Sequence, residues 1–158
     1  MSKTAKILVI DDEANIRRTV SMTLKHAGYS VDTAENGKQA IEMAQSDFYN
    51  LALIDIRLPD MEGTELLTAL KETTPKMVKI MLTGYPTLEN SVRATNKGAD
   101  AYLIKPVDTN ELMRRIKELL DKQKQEKEYG QEKLAQFVET RFKELETEEL
   151  DTKTTKKE

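Results

Sequence analysis

Five times in its first 120 residues this sequence runs a short strand-like stretch into a helical pattern, and that alternation leaves few folds open. Ile7-Leu8-Val9-Ile10 is wholly apolar and ends in acids, as a buried strand would. Ile16, Val20, Leu24 and Ala27 then recur at helical spacing until Gly28 supplies a stop. Ser30 to Ala34 is a more polar strand candidate, and after Asn36-Gly37 a helix carries Ala40, Ile41 and Ala44. Leu51-Ala52-Leu53-Ile54 is a second buried run, joined by a Pro/Asp/Gly loop to a helix with Leu66, Leu67 and Leu70. Residues 78–82 run into Thr83-Gly84-Tyr85-Pro86, followed by a polar helix over 87–97 and Gly98. Ala101 to Ile104 is the fifth strand, and Leu112, Ile116, Leu119 and Leu120 stripe a fifth helix that Asp108 or Thr109 can cap.

Strand and helix in regular alternation predict an α/β fold, a parallel sheet with helices on both faces. Right-handed crossovers and five units suit the flavodoxin-like order 2-1-3-4-5, a (βα)5 three-layer sandwich. Composition shifts after Leu120: more than half of the remaining residues are charged, against 34% for the whole chain. This places a domain at residues 4–122 and a charged helical tail at 123–158. The formal charge of −3 and pI of about 5.4 offer no global positive field for nucleic acid or an anionic membrane surface. The absence of cysteine excludes disulfide scaffolds, thiolate zinc sites and thiol catalysis. With no apolar run near the length of a membrane span and no signal-peptide core behind Met1, the expectation is a cytoplasmic protein.

Open sheets of this kind bind ligands beyond the carboxyl ends of their strands. There the sequence places Asp11, Asp12 and Glu13 after the first strand, Asp55 at the end of the third, Thr83 after the fourth, and Lys105-Pro106 after the fifth. Carboxylates crowded at one edge call for a cation, and oxygen ligands without His or Cys favour a hard ion such as Mg²⁺ or Mn²⁺. Asp11, Asp12 and Asp55 form the candidate ligand set, with Asp12 and Asp55 as direct side-chain ligands and the Arg57 backbone carbonyl as a further donor. An aspartate beside such an ion can attack phosphorus in line. Asp55 is the candidate acceptor, Lys105 a point charge for one phosphoryl oxygen, and the Thr83 hydroxyl a donor to another. Gly84 leaves room for a bulky donor, and Pro106 is a candidate cis peptide that could aim Lys105.

Asp11-Asp12, Asp55, Thr83-Gly84 and Lys105-Pro106, at these spacings, resemble the receiver domain of two-component response regulators, here of a stand-alone type with a helical tail. The resemblance covers about residues 4–122. It implies phosphotransfer from the phosphohistidine of a sensor histidine kinase or phosphotransfer protein, Mg²⁺ dependence, and slow loss of the phosphoryl group to water. It further implies that Thr83 moves toward the phosphoryl group as Tyr102 turns inward, remodelling the surface of the fourth helix, fifth strand and fifth helix for a downstream protein. Arg57 and Tyr85 stand where family members tune hydrolysis.

Each residue also has a plainer reading. Asp12 can cap the first helix, Asp55 can be a turn acid, Thr83 a β-branched strand end, Lys105 a surface lysine and Tyr102 simple packing. Arg57 and Tyr85 read as exposed loop side chains. His26, the one histidine, suits a helix C-terminus and is rejected as a phosphodonor. Met22, Met43, Met81 and Met113 read as core filler or helix surface. A phosphate-hydrolysing enzyme of the aspartyl-phosphate type needs a general-acid aspartate two residues after its nucleophile, where Arg57 stands. A flavodoxin-like redox carrier needs hydroxyls and free amides in the first loop, which is acidic here. An unphosphorylated adaptor has no use for five such residues together. In the tail, residues 121–128 continue the fifth helix before Gly130, and Leu134, Phe137, Val138, Phe142 and Leu145 form an amphipathic stripe. Such a helix docks on the domain, pairs with a second copy, or binds a partner; a homodimer through the surface of the fourth helix, fifth strand and fifth helix, or through the tail, is open. No DNA-reading pattern is present, no membrane role is expected, and residues 151–158 are expected to be disordered.

Overall fold

The computed structural model describes residues 4–70 and 72–156. It divides into two compact units, the first running to Gln123 and the second from Lys124.

In the first unit the strands are β1 (Lys6–Ile10), β2 (Ser30–Ala34), β3 (Leu51–Asp55), β4 (Val78–Thr83) and β5 (Ala101–Ile104). Helices α1 (Ala14–His26), α2 (Gly37–Ser46), α3 (Gly63–Ala69), α4 (Leu88–Asn96) and α5 (Thr109–Lys156) follow them in turn. All pairings are parallel, in the order β2-β1-β3-β4-β5. The flavodoxin-like sandwich predicted from the alternation is therefore the fold.

The pleat sends successive side chains to opposite faces, and this chain has an apolar residue for each. Leu8 and Ile10 join Ala52, Ile54 and Met81 in a core closed by Ala40 and Ala44 of α2, Leu66 and Leu67 of α3, and Ala94 of α4. Ile7 and Val9 join Leu51, Leu53, Ile80 and Leu82 in a second core closed by Leu24 of α1 and by Leu112 and Ile116 of α5. A strand buried on both faces needs a near-continuous apolar run, which β1 and β3 possess. β2, at the sheet edge, exposes Ser30 and Thr33 and half-buries Asp32, hence its polar sequence.

Helix ends follow local chemistry. Asn36 caps α2 by accepting from the Gln39 N–H, and Thr87 caps α4 by accepting from the Asn90 N–H. Asp108 precedes α5 and accepts from the Asn110 N–H at 2.9 Å. Gly28 and Gly98 leave α1 and α4 with φ of 101° and 102°, backbone that glycine alone adopts without strain. Asp12 does not cap α1: the cap position is Glu13, without a side-chain bond, and Asp11 Oδ1 accepts the Glu13 N–H at 2.9 Å.

α5 corrects one expectation. It continues through Gly130 to Lys156, so disorder from residue 151 gives way to helix up to 156; residues 157 and 158 lie outside the described residues. One glycine in a helix costs only about 1 kcal/mol relative to alanine, and Glu, Lys and Gln around it are strong helix formers. Arg141 with Glu144 at 3.1 Å and Lys143 with Glu139 at 3.5 Å add helix-spaced ion pairs.

Candidate functional site

Register brings the polar residues together. Ile10 lies beside Ile54, so Asp11 and Asp55, each one step further, are neighbours beyond the apolar core. Asp55 pairs with Leu82 and Thr83 with Ile104, so Thr83 and Lys105 close the same edge on its other side.

Asp11 and Asp55 are 2% and 7% exposed, while Asp12 faces solvent. One carboxylate oxygen from each of the three lies within 4.8 Å of the others. Lys105 Nζ stands 3.0 Å from Asp11 Oδ2 and 3.4 Å from Asp55 Oδ2, and its bond to Pro106 is cis. The other Asp55 oxygen accepts the Arg57 N–H at 3.2 Å. The Asp11 carbonyl accepts from Arg17 Nη1 at 2.7 Å, which ties the first loop to α1.

Burial raises the Asp55 carboxyl above the ordinary carboxylate range; the Arg57 N–H and Lys105 oppose this and the Asp11 charge adds to it. Burial pulls the Lys105 ammonium down, but its hydrogen bonds and attraction to Asp11 and Asp55 outweigh that and hold it above the ordinary lysine range. Lys105 pairs with Asp11 and Asp55, and Asp12 adds a third carboxylate on the solvent side of the cluster. An all-oxygen, acidic donor set with an open side fits a hard divalent cation.

Thr83 is fully buried and its hydroxyl accepts the Tyr85 N–H at 3.1 Å. Tyr85 is exposed, and the Arg57 guanidinium stacks over its ring at 4.3 Å. The two loop residues at the mouth of the site thus form one unit, which spacing in the sequence does not reveal. Gly84 has open space where a Cβ would project. Tyr102 packs against the core under α4, and its hydroxyl is buried with no hydrogen-bond partner among the described residues. His26 lies in the exposed last turn of α1, away from this edge.

Asp60 and Gly63 also shape the site. Asp60 accepts the Gly37 and Lys38 N–H groups, both at 2.9 Å, pinning the β3-α3 loop to the first turn of α2. A Cβ on Gly63 would come 2.5 Å from the Asp55 carbonyl oxygen, so only glycine lets α3 start this close to β3. The Pro/Asp/Gly composition marked a turn but gave no sign of what the turn grips.

The chain is thus a flavodoxin-like α/β protein with two buried acids, one exposed acid and a lysine clustered at the carboxyl edge of its sheet. Residues 7–117 match the family model described as response regulator receiver domain, and the chain belongs to that family. It is 37% identical over 122 residues to the response regulator ArlR of Staphylococcus saprophyticus, covering 76% of this chain and 54% of that protein. It spans about half the length of the curated relatives it matches. Among solved structures, a CheY-like receiver domain protein from Methanospirillum hungatei superimposes with a TM-score of 0.75 at 46% identity, covering 78% of this chain and 99% of that one. A Burkholderia pseudomallei response regulator, described as having a phosphorylated aspartic acid and a calcium ion, aligns with a TM-score of 0.65 at 30% identity over 69% of this chain and 64% of that one. No helix among the described residues is long and apolar enough to cross a membrane.

Proposed function

We propose that this protein is a phosphorylation-dependent signalling switch that accepts a phosphoryl group on Asp55 from a sensor histidine kinase or phosphotransfer protein. The observation that carries the reading is the convergence of buried Asp55 with Asp11, Asp12 and Lys105 at one sheet edge. Asp12, Asp55 and the Arg57 carbonyl would hold Mg²⁺ or Mn²⁺, with Asp11 completing the acidic set; the bound ion neutralises charge on the transferring group. An Asp55 carboxylate oxygen attacks phosphorus in line, forming an O–P bond as the P–N bond to the donor imidazole breaks and its electron pair leaves with the ring. Lys105, already within reach of Asp55, moves its charge onto a phosphoryl oxygen. The Thr83 hydroxyl exchanges its contact with the Tyr85 N–H for another phosphoryl oxygen. Tyr102, whose buried hydroxyl has no hydrogen-bond partner among the described residues, reports that movement to the α4-β5-α5 surface, where a downstream protein reads it.

The test is incubation with acetyl phosphate and Mg²⁺, followed by intact mass. The expected result is one phosphoryl group on the wild type, none on Asp55→Asn and none with the metal chelated. An Asp55→Asn protein that gains the same adduct overturns the reading. Nuclear magnetic resonance with a beryllofluoride mimic should shift signals at Thr83 and Tyr102 in the wild type alone.

A further inference from the structure

One arginine lies on the sheet-facing side of its helix. Arg17 stands four and seven residues before Ser21 and Leu24, the two buried positions of α1, and its side chain is only 14% exposed. Keeping a guanidinium there costs desolvation unless its donors are used. Nη1 donates to the Asp11 carbonyl at 2.7 Å, and Nη2 lies 3.5 Å from the Glu35 carboxylate, just after β2.

The carbonyl that Arg17 holds belongs to the peptide joining Asp11 to Asp12, one step beyond the end of β1. Other groups of Asp11 have their own partners: its N–H donates to the Ala34 carbonyl at 3.2 Å, and its carboxylate accepts from the Glu13 N–H and from Lys105 Nζ. No backbone N–H among the described residues reaches its carbonyl. Arg17 therefore fixes the rotation of this peptide plane, and with it the direction in which Asp12 leaves. We infer that Arg17 is a positioning residue for cation binding, holding the Asp11–Asp12 peptide so that both carboxylates converge with that of Asp55. In the phosphoryl-acceptor reading proposed above, on which this role rests, these acids are the metal-binding set.

Charge and position predict opposite signs. A positive charge beside a cation site repels the ion, so if charge were all that Arg17 supplied, removing it would tighten cation binding. If Arg17 supplies position, removing it weakens binding, because a buried carbonyl without its donor turns to find another and carries Asp12 with it.

Mn²⁺ binding to the full chain, read by the electron paramagnetic resonance of the free ion, tests this. Arg17→Met keeps the apolar stem and should bind Mn²⁺ about tenfold more weakly than the wild type. Arg17→Gln, whose amide stops short of the carbonyl, should behave alike and carries the test if the apolar variant does not fold, which circular dichroism and urea denaturation report. Arg17→Lys, long enough to donate, should recover most of the affinity. Gln123, whose amide donates to the Asn50 and Lys76 carbonyls at the other end of the sheet, supplies the stability control. Gln123→Ala should bind Mn²⁺ as the wild type does; a loss equal to that of Arg17→Met would make Arg17 a stabilising residue only and overturn the inference. Acetyl phosphate labelling of Arg17→Met should be slow at low Mg²⁺ and reach the wild-type rate at saturating Mg²⁺, and a deficit that persists there overturns a role exerted through the cation. Unchanged or tighter Mn²⁺ binding in the neutral variants also overturns it, as does a lysine variant no better than they are. A wild type that binds no Mn²⁺ and takes no phosphoryl group overturns the phosphoryl-acceptor reading and this role with it. A wild type that does both, beside Arg17 variants of equal affinity, overturns this role alone.

Discussion

A carboxylate at 7% exposure beside a second buried one is an arrangement that folding opposes. Asp55 is raised by burial and by the charge of Asp11, and Lys105 offsets only part of this. Asp55→Asn keeps the shape and the Arg57 N–H acceptor while removing the charge. In chelator at neutral pH it should therefore melt a few degrees above the wild type by calorimetry, and added Mg²⁺ should narrow the gap by stabilising the wild type alone. A lower melting temperature in chelator would show that Lys105 outweighs burial. Lys79 gives a second case. It is 6% exposed in β4, its Nζ donates to the Leu67 carbonyl at 2.8 Å, and burial lowers it from the ordinary 10.5. Between its lowered native value and 10.5 the unfolded chain holds more protons than the folded one, so stability rises with pH through that window. Below the window the lysine is charged in both states, and above it neutral in both. Subtracting the stability-pH curve of Lys79→Met from that of the wild type should isolate this alkaline rise; a flat difference would count against it. Asp55 was legible in the sequence because an apolar run ended in an acid. Lys79 was not, because a lysine inside a strand pattern reads as an outward position, and only the end of α3 laid over it makes it inward.

Between the residues and the sheet stands the β3-α3 loop, which carries Arg57 and is held at two points. Asp60 holds the α2 N-terminus, where its charge also meets the helix dipole, and Gly63 lets α3 approach the Asp55 carbonyl. The two Gly37 and Lys38 N–H bonds lower the Asp60 carboxyl below the ordinary range. Gly63→Ala places a methyl 2.5 Å from the Asp55 carbonyl oxygen and 2.8 Å from Ile56 Cα, both backbone, so something must move. The expected cost is about 2 kcal/mol in chemical denaturation, with slower acetyl phosphate labelling because Asp55 itself is displaced. Asp60→Ala should cost about 1 kcal/mol by loss of the helix-terminal contacts, and Asp60→Asn, which still accepts hydrogen bonds, should recover part of it. The strands and helices were legible because their periods of 2 and 3.6 are local properties. The grip of Asp60 on Gly37 was not, because it joins residues 23 apart in sequence through backbone donors, which no side-chain pattern marks.

On the scale of the whole chain, the composition change after Leu120 located the tail, yet the last residue that anchors the first unit is a polar one that reads as tail. Gln123 is 6% exposed, and its amide nitrogen donates to the Asn50 carbonyl at 2.9 Å and the Lys76 carbonyl at 2.7 Å. Asn50 in turn accepts the Lys6 N–H on its side chain, so one glutamine ties together the starts of β1, β3 and β4. Losing that amide takes the Gln123 donor from the Lys76 carbonyl, while the Asn50 carbonyl keeps the Val78 N–H at 2.9 Å, a penalty of about 1–3 kcal/mol for the group left unpaired. A chain ending at Lys122 should therefore be less stable in urea than one ending a turn later, by about that amount, and Gln123→Ala in the full chain should reproduce the loss. Acetyl phosphate labelling of Asp55 should persist in all of them below the unfolding transition, because the acidic cluster lies at the opposite, carboxyl ends of the strands. If the chain ending at Lys122 were as stable as the longer one, the hydrogen bonds of Gln123 would contribute nothing to the stability of the first unit.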